Sequence, residues 1–258
     1  RLSPARVNHI FISHLHGDHI FGLFGLVSSL GLMGRKVPLN LYGPKGLQEM
    51  LQTHLAFFGP LPYALNFVEA EDNKVIYQDS KTEATAFRLN HRTDTFGYLF
   101  REKPRMLNII KEKIEYYQLG VEDIVKVKRG EDMVLDDGRV IPNHELTLPP
   151  YHRRSYAYVS DTAFDPSLAK RIGEVDLLFH EATFLQKDQG LAAETFHSTA
   201  EQAARVARDA GAKKLLLGHF STRYKHVEDF REEAAKIFPY VVCVKDGDRF
   251  QLELVREP

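Results

Sequence analysis

Val7-Asn-His-Ile-Phe-Ile-Ser-His14-Leu-His16-Gly-Asp18-His19 is the stretch on which the reading turns. Its first half is an apolar run suited to a β-strand, Val7–Ile12. Its second half packs three imidazoles and a carboxylate into six residues, with Gly17 allowing a tight bend. Imidazole and carboxylate are donors that Zn²⁺ accepts. Read alone, the same residues also suit a polar loop that caps a helix. Six residues cannot enclose two metals, so a two-metal site needs further ligands from distant positions.

The same pattern, an apolar run ending in a polar cluster, recurs three times. Tyr156–Val159 runs into Ser160-Asp161, Val175–Phe179 into His180-Glu181, and Leu215–Leu217 into Gly218-His219. If all four strands share one sheet and one direction, their carboxyl ends set histidines and acids along one edge, where open α/β sheets place ligands.

Around these runs, strand and helix patterns alternate and predict an α/β architecture. A helix is expected from about His19 to Met33, a strand at Leu39–Tyr42, and a helix opened by Gly43-Pro-Lys-Gly-Leu with Pro44 at its first position. Shorter strands follow at Val75–Tyr77, Ala84–Leu89 and Tyr98–Phe100. The more charged stretch 101–150 reads as an insertion on a single domain covering 1–258. It holds a helix-like piece, Met106–Tyr117, and a hairpin signal in Val134-Leu-Asp-Asp-Gly-Arg-Val140.

Composition narrows the class. At 258 residues, 43% hydrophobic and 27% charged, the chain is ordinary globular material with room for a sizeable core. Its longest apolar stretch, Ile20–Met33, is interrupted by two serines and is shorter than the ~20 residues of a membrane span. A single cysteine, Cys243, excludes an intrachain disulfide, favours a cytoplasmic setting and reads as core packing. A net charge of −1 means that any nucleic-acid surface is a local patch.

Distant ligands must come from the other nine histidines or from acids at strand ends. His91 follows the strand Ala84–Leu89, His219 follows Leu215–Leu217, and Asp161 could bridge two cations. His9, His54, His144, His152 and His226 read as packed or solvated. In His197-Ser-Thr-Ala-Glu201, Ser198 and Glu201 suit a capping box, the alanines from Ala200 to Ala210 fall at helical spacing, and Gly211 closes the helix. That helix start would suit a phosphate. Glu181, at a strand end, could orient a histidine.

Together these residues resemble the metallo-β-lactamase superfamily, and within it the ribonuclease Z family of tRNA 3′-processing endonucleases. The main metal motif corresponds to Phe11–His19, continued by Ile-Phe-Gly-Leu23. His91 stands before Thr95-Phe-Gly-Tyr98, and Asp161 stands in Ser-Asp-Thr162. The loops His180–Thr183 and His197–Thr199 follow, and His219 lies in Gly-His-Phe-Ser-Thr-Arg-Tyr224. The likeness runs in order from Val7 to about Pro239.

The resemblance implies a four-layer αβ/βα metallo-β-lactamase sandwich with an inserted substrate arm. It implies two Zn²⁺ per chain, one held by His14, His16 and His91, the other by Asp18, His19 and His219, with Asp161 bridging. Asp18 is the family's general base, although a metal-bound carboxylate is a poor base and better suited to orienting the attacking water. Glu181 and His197 are implied to work as a pair, with His197 passing a proton to the leaving 3′-oxygen. Ser198, Thr199 and Arg223 are implied substrate contacts. The implied substrate is precursor tRNA, expected to be cut to leave a 3′-hydroxyl on the tRNA and a 5′-phosphate on the trailer, by a cytoplasmic homodimer.

Two departures stand out. Only 13 residues precede His14, so the sheet is expected to lack its N-terminal strands. Where the family's arm has a Gly-Pro tip, this chain reads Gln118-Leu-Gly-Val-Glu-Asp123, followed by the basic Lys126-Val-Lys-Arg129. The competing functions are a small-molecule phosphodiesterase of the same superfamily, a non-catalytic RNA-binding relative, and a structural zinc protein. The last fits poorly, because closed structural sites rarely use two aspartates.

Overall fold

A computed structural model describes residues 3–57 and 59–256. The chain divides into two compact units, Arg1–Arg101 with Ser155–Arg249, and Glu102–Arg154 with Phe250–Pro258.

The first unit opens with β1 (His9–Phe11), α1 (Gly17–Leu32), β2 (Leu39–Gly43), α2 (Leu47–Leu55) and β3 (Leu65–Glu69). The strands form a parallel sheet in the order β1-β2-β3. The helix α1 begins at Gly17, two residues before the expected start. The next helix starts at Leu47, not near Pro44, because Gly46 takes a left-handed φ of 92° that helical backbone cannot include.

Next come β4 (Lys74–Gln78), β5 (Thr82–Arg88) and β6 (Phe96–Glu102). The second unit then supplies β7 (Asn108–Ile109), α3 (Lys111–Tyr116), α4 (Val121–Lys128), β8 (Met133–Val134), β9 (Val140–Ile141), α5 (Asn143–Leu146) and β10 (Thr147–Leu148). The single helix expected over Met106–Tyr117 is instead the short strand β7 followed by α3. Asn108 and Ile109 pair antiparallel with Leu148 and Thr147, a pairing that local periodicity cannot reveal. The hairpin signal is realised as β8–β9, with Gly138 at a φ of 83°. The C-terminal segment belongs to this unit: His152 N–H donates to Val255 O, and Arg256 lies over the Tyr151 ring.

The first unit resumes with β11 (Ser155–Val159), α6 (Ser167–Ile172), β12 (Leu177–Glu181), α7 (Gln189–Thr195), α8 (Ala200–Ala210), β13 (Leu215–Gly218), α9 (Glu228–Ala235) and β14 (Val241–Cys243). A seven-stranded sheet runs β14-β13-β12-β11-β6-β5-β4, and β11 to β14 are parallel neighbours. The four histidine- or acid-tipped strands therefore do not share one sheet: β1 belongs to the three-stranded sheet and the other three to the seven-stranded one.

Side-chain alternation builds four layers. Ile10 and Ile12 face α1 and α2, in a core with Ile20, Val27, Leu30 and Leu51. Phe11, between them in sequence, packs the other way with Phe96, Tyr98 and Tyr158 of the seven-stranded sheet. The opposite face of that sheet, with Leu99, Val159 and Leu178, packs on α6, α8 and α9. The result is the αβ/βα sandwich. Cys243 is partly buried against this last core. Among the described residues no helix is long and apolar enough to cross a membrane.

The two sheets are stitched together immediately before the histidine-rich turn. The Tyr98 hydroxyl donates to Ile12 O at 2.5 Å, and Phe96 N–H donates to Ser13 O at 2.9 Å. The turn at His14 thus starts from a fixed point.

Candidate active site

Six segments meet at the carboxyl ends of the strands. His14 follows β1, His16 takes the N-cap position of α1, and Asp18 and His19 lie in the first turn of that helix. His91 follows β5, Asp161 follows β11, Glu181 ends β12, His197 precedes α8, and His219 follows β13. Asp161 is the hub. Its Oδ2 lies 3.5 Å from His19 Nε2, 3.7 Å from His14 Nε2 and 3.9 Å from His91 Nε2, and its Oδ1 lies 3.5 Å from His219 Nε2. Asp18 Oδ2 is 3.5 Å from His19 Nε2. Donor atoms of His14, His16 and His91 lie within 4.8 Å of one another, as do those of Asp18, His19 and His219. All seven metal-ligand candidates from the sequence are therefore brought together.

The spacing has a physical meaning. Two donors that each stand ~2.0–2.1 Å from one tetrahedral Zn²⁺ are separated by about 3.3 Å. The distances around Asp161 are close to that value and longer than most hydrogen bonds. His14 supplies the sharper test. It is fully buried, its Nδ1 contacts Ser13 Oγ at 3.1 Å, and its Nε2 has no hydrogen-bond partner. A buried, unpaired ring nitrogen is costly unless something fills its place. A divalent cation fits: the donors are imidazoles and carboxylates, and they already face inward.

The electrostatics favour the same occupant. Burial, together with the neighbouring His19, pushes His14 down to about 4, so its lone pair stays unprotonated. Burial lowers His91 as well. Burial alone would raise the Asp161 carboxyl, but the facing imidazoles of His19, His219 and His14 outweigh it and hold it well below the usual carboxylate range. Two of the ligands are oriented from behind. His91 Nδ1 donates to Phe196 O at 2.9 Å, which turns Nε2 toward the cluster. His219 takes a left-handed φ of 61°, a strained conformation for a residue with a Cβ. The preceding Gly218 leaves room for the Phe179 ring, 2.7 Å from where a Cβ would stand.

Glu181 lies beside this cluster, fully buried. Its Oε1 accepts from Thr162 N–H at 3.1 Å, Ser198 N–H at 3.0 Å and His197 Nδ1 at 2.9 Å. Its Oε2 accepts from the N–H and the hydroxyl of Thr183, both at 2.8 Å. Burial would lower the His197 pKa, but the Glu181 hydrogen bond and charge outweigh it and raise it.

The expected substrate contacts fare differently. Ser198 is buried, its hydroxyl donating to Thr162 O at 2.7 Å and its N–H to Glu181. Thr199, not Ser198, caps α8: its hydroxyl accepts from Gln202 N–H, and Gln202 Oε1 accepts from Thr199 N–H. The capping box is therefore Thr199 with Gln202, one position along from the expected Ser198 with Glu201. Both hydroxyl residues brace the loop from inside. Arg223 is exposed, with its guanidinium 5.0 Å from the centre of the Phe184 ring. Two contributors escaped the sequence reading. Thr183 contacts three site residues, and Arg92 lies over the Phe196 ring with a hydrogen bond to Glu194 O. Adjacency to His91 and membership of the His-Glu-Ala-Thr loop were the only signals.

A two-sheet sandwich with histidines and aspartates gathered at its strand ends defines a class. A family model described as "Beta-lactamase superfamily domain" matches residues 1–107 and 136–220. Among named relatives, a ribonuclease Z of Bacteroides thetaiotaomicron is 46% identical over 250 residues, which is 96% of this chain and 79% of that one. A ribonuclease Z of Geobacillus kaustophilus is 38% identical over 257 residues, 97% of this chain and 83% of that one. The crystal structure of human tRNase Z, short form, shares the fold with a TM-score of 0.64 at 24% identity, over 95% of this chain and 79% of that one. The chain belongs to the ribonuclease Z family of the β-lactamase superfamily.

Proposed function

We propose that this chain removes the 3′ trailer from precursor tRNA, leaving a 3′-hydroxyl on the tRNA and a 5′-phosphate on the trailer. The observation that carries the reading is the convergence of His14, His16, Asp18, His19, His91 and His219 on Asp161, with the Glu181–His197 pair alongside. His14, His16 and His91 would hold one Zn²⁺, Asp18, His19 and His219 a second, and Asp161 would belong to both. Bound there, the pair supplies Lewis acidity and a lowered pKa for attacking water.

The chain's own residues supply the rest. Asp18 is largely exposed, so one of its oxygens can orient incoming water. Glu181 holds Nδ1 of His197 and favours its protonated form, which leaves Nε2 as the nitrogen that donates to the departing 3′-oxygen. Arg223, exposed beside the Phe184 ring, would contact backbone phosphate. The second unit acts as the substrate arm, with Lys126, Lys128 and Arg129 on or next to α4. The working form is a homodimer in the cytoplasm.

The test compares precursor tRNA with bis-(p-nitrophenyl) phosphate. Trailer removal that is lost on chelation and restored by zinc supports the reading. Rapid ester turnover with intact precursor would replace it with a small-molecule phosphodiesterase. Arg223→Ala should weaken RNA binding and flatten its salt dependence; an unchanged salt slope removes Arg223 from the interface.

A further inference from the structure

The Thr183 hydroxyl touches both the Glu181–His197 pair and the metal-ligand candidate His219. It lies 2.8 Å from Glu181 Oε2, 2.9 Å from His219 Nδ1 and 3.2 Å from His197 Nδ1. A threonine hydroxyl has one proton to give and two lone pairs to receive with. The Glu181 carboxylate can only accept, so the proton goes to Oε2. Toward both imidazoles the hydroxyl can therefore only accept.

That assignment fixes the tautomers. His219 must carry its proton on Nδ1, which leaves Nε2 as a lone pair facing Asp161 Oδ1. His197 also carries a proton on Nδ1, shared between Glu181 Oε1 at 2.9 Å and the more distant Thr183 oxygen. Thr183 is buried, so water does not compete for these bonds.

We propose that Thr183 is a positioning residue that relays the charge of Glu181 to His219. One buried carboxylate then polarises two imidazoles, His197 directly and His219 through the hydroxyl. The relay makes His219 a stronger donor and holds its ring in the metal-facing orientation, with the carboxylate–hydroxyl chain taking the place of the carboxylate or carbonyl that commonly backs a metal-binding histidine. His91, backed by Phe196 O, has no part in it. The two halves of the metal centre are thus braced by different means, and loss of the hydroxyl should weaken only the half that contains His219.

This inference rests on the metal-binding reading above, and the experiment separates the two. Zinc content and chelator-competition affinity are measured on Thr183→Val, Thr183→Ser and His219→Ala, with the visible spectrum of the cobalt-substituted proteins as a second readout. Thr183→Val should lower the affinity of one of two zinc ions by about 10- to 100-fold and shift the cobalt spectrum, with the other affinity within about threefold of wild type. Thr183→Ser should restore both. If Thr183→Val binds both ions normally, loses both equally, or is not rescued by serine, the relay is overturned. If His219→Ala itself loses no metal, the metal-binding reading fails and the relay with it.

Discussion

Asp161 and Glu181 follow and end neighbouring parallel strands, and both carboxylates are buried, yet their surroundings are opposite. Asp161 faces four imidazole nitrogens at 3.5 to 3.9 Å. Glu181 accepts five hydrogen bonds between 2.8 and 3.1 Å, three of them from backbone N–H groups. One is spaced for a guest and the other is complete. The difference separates two jobs that identical chemistry could otherwise confuse: a ligand needs partners held apart, and an orienting group needs partners held close.

Asp161→Ala should break the first arrangement and give the largest effect. On the proposed assignment both cations would lose their shared ligand, so zinc content should fall and trailer removal should drop by about a thousandfold or more. Elemental analysis of the purified variant decides the matter: two retained zinc ions would show that Asp161 is not the hub. His197→Ala comes next. It should lower turnover by roughly 10²- to 10⁴-fold, the range of general-acid contributions, with zinc content unchanged. Metal loss in that variant would move His197 from the Glu181 side of the comparison to the Asp161 side.

Much of this contrast was legible in the residues. Val7–Ile12 and the three later apolar runs each ended in a polar cluster, and all four tips reach one rim. The sheet each strand joins was not legible, because period-two alternation marks a strand without naming its partner; β1 lies in the other sheet and still delivers His14. The cap of α8 fell one residue from the expected position because Ser198 and Thr199 are both competent caps, and only the demand of Thr162 O for the Ser198 hydroxyl decides between them. Thr183 was hidden for a similar reason. Its role depends on partners 2, 14 and 36 residues away, a convergence that no spacing rule encodes.

Stability sharpens the comparison without reference to activity. Glu181→Ala strands the N–H groups of Thr162, Thr183 and Ser198 in a buried setting, at about 1–3 kcal/mol for each unsatisfied donor. A loss of at least about 3 kcal/mol is expected in urea melts of the metal-free protein. Asp161→Ala, measured the same way, should cost less than Glu181→Ala, because it strands no backbone donor and its carboxylate makes few close hydrogen bonds to lose. Equal costs would mean that the spacing around Asp161 carries no information about a guest.

Glu102, in the second unit, supplies the control: a mostly buried carboxylate held chiefly by arginine side chains, with one backbone N–H, that of Arg154, at 3.1 Å and no imidazole in its hydrogen bonds. The Arg154 side chain donates to it at 2.6 Å, and Arg105 adds a second contact. The Arg154 hydrogen bond is the largest influence and holds the Glu102 carboxyl down at about 2. A folded-state pKa below the unfolded value contributes stability that is fully present above the unfolded pKa, ordinarily ~4.3 for glutamate, and lost as pH falls through the folded one. Both arginines are about a third exposed, so screening trims the contribution to about 1–2 kcal/mol. Glu102→Gln should therefore cost that much near neutral pH, and the gap between wild type and variant should close between about pH 4.5 and pH 2. A gap that stays constant across that interval would show that Glu102 acts through packing, and that its ion pair contributes nothing.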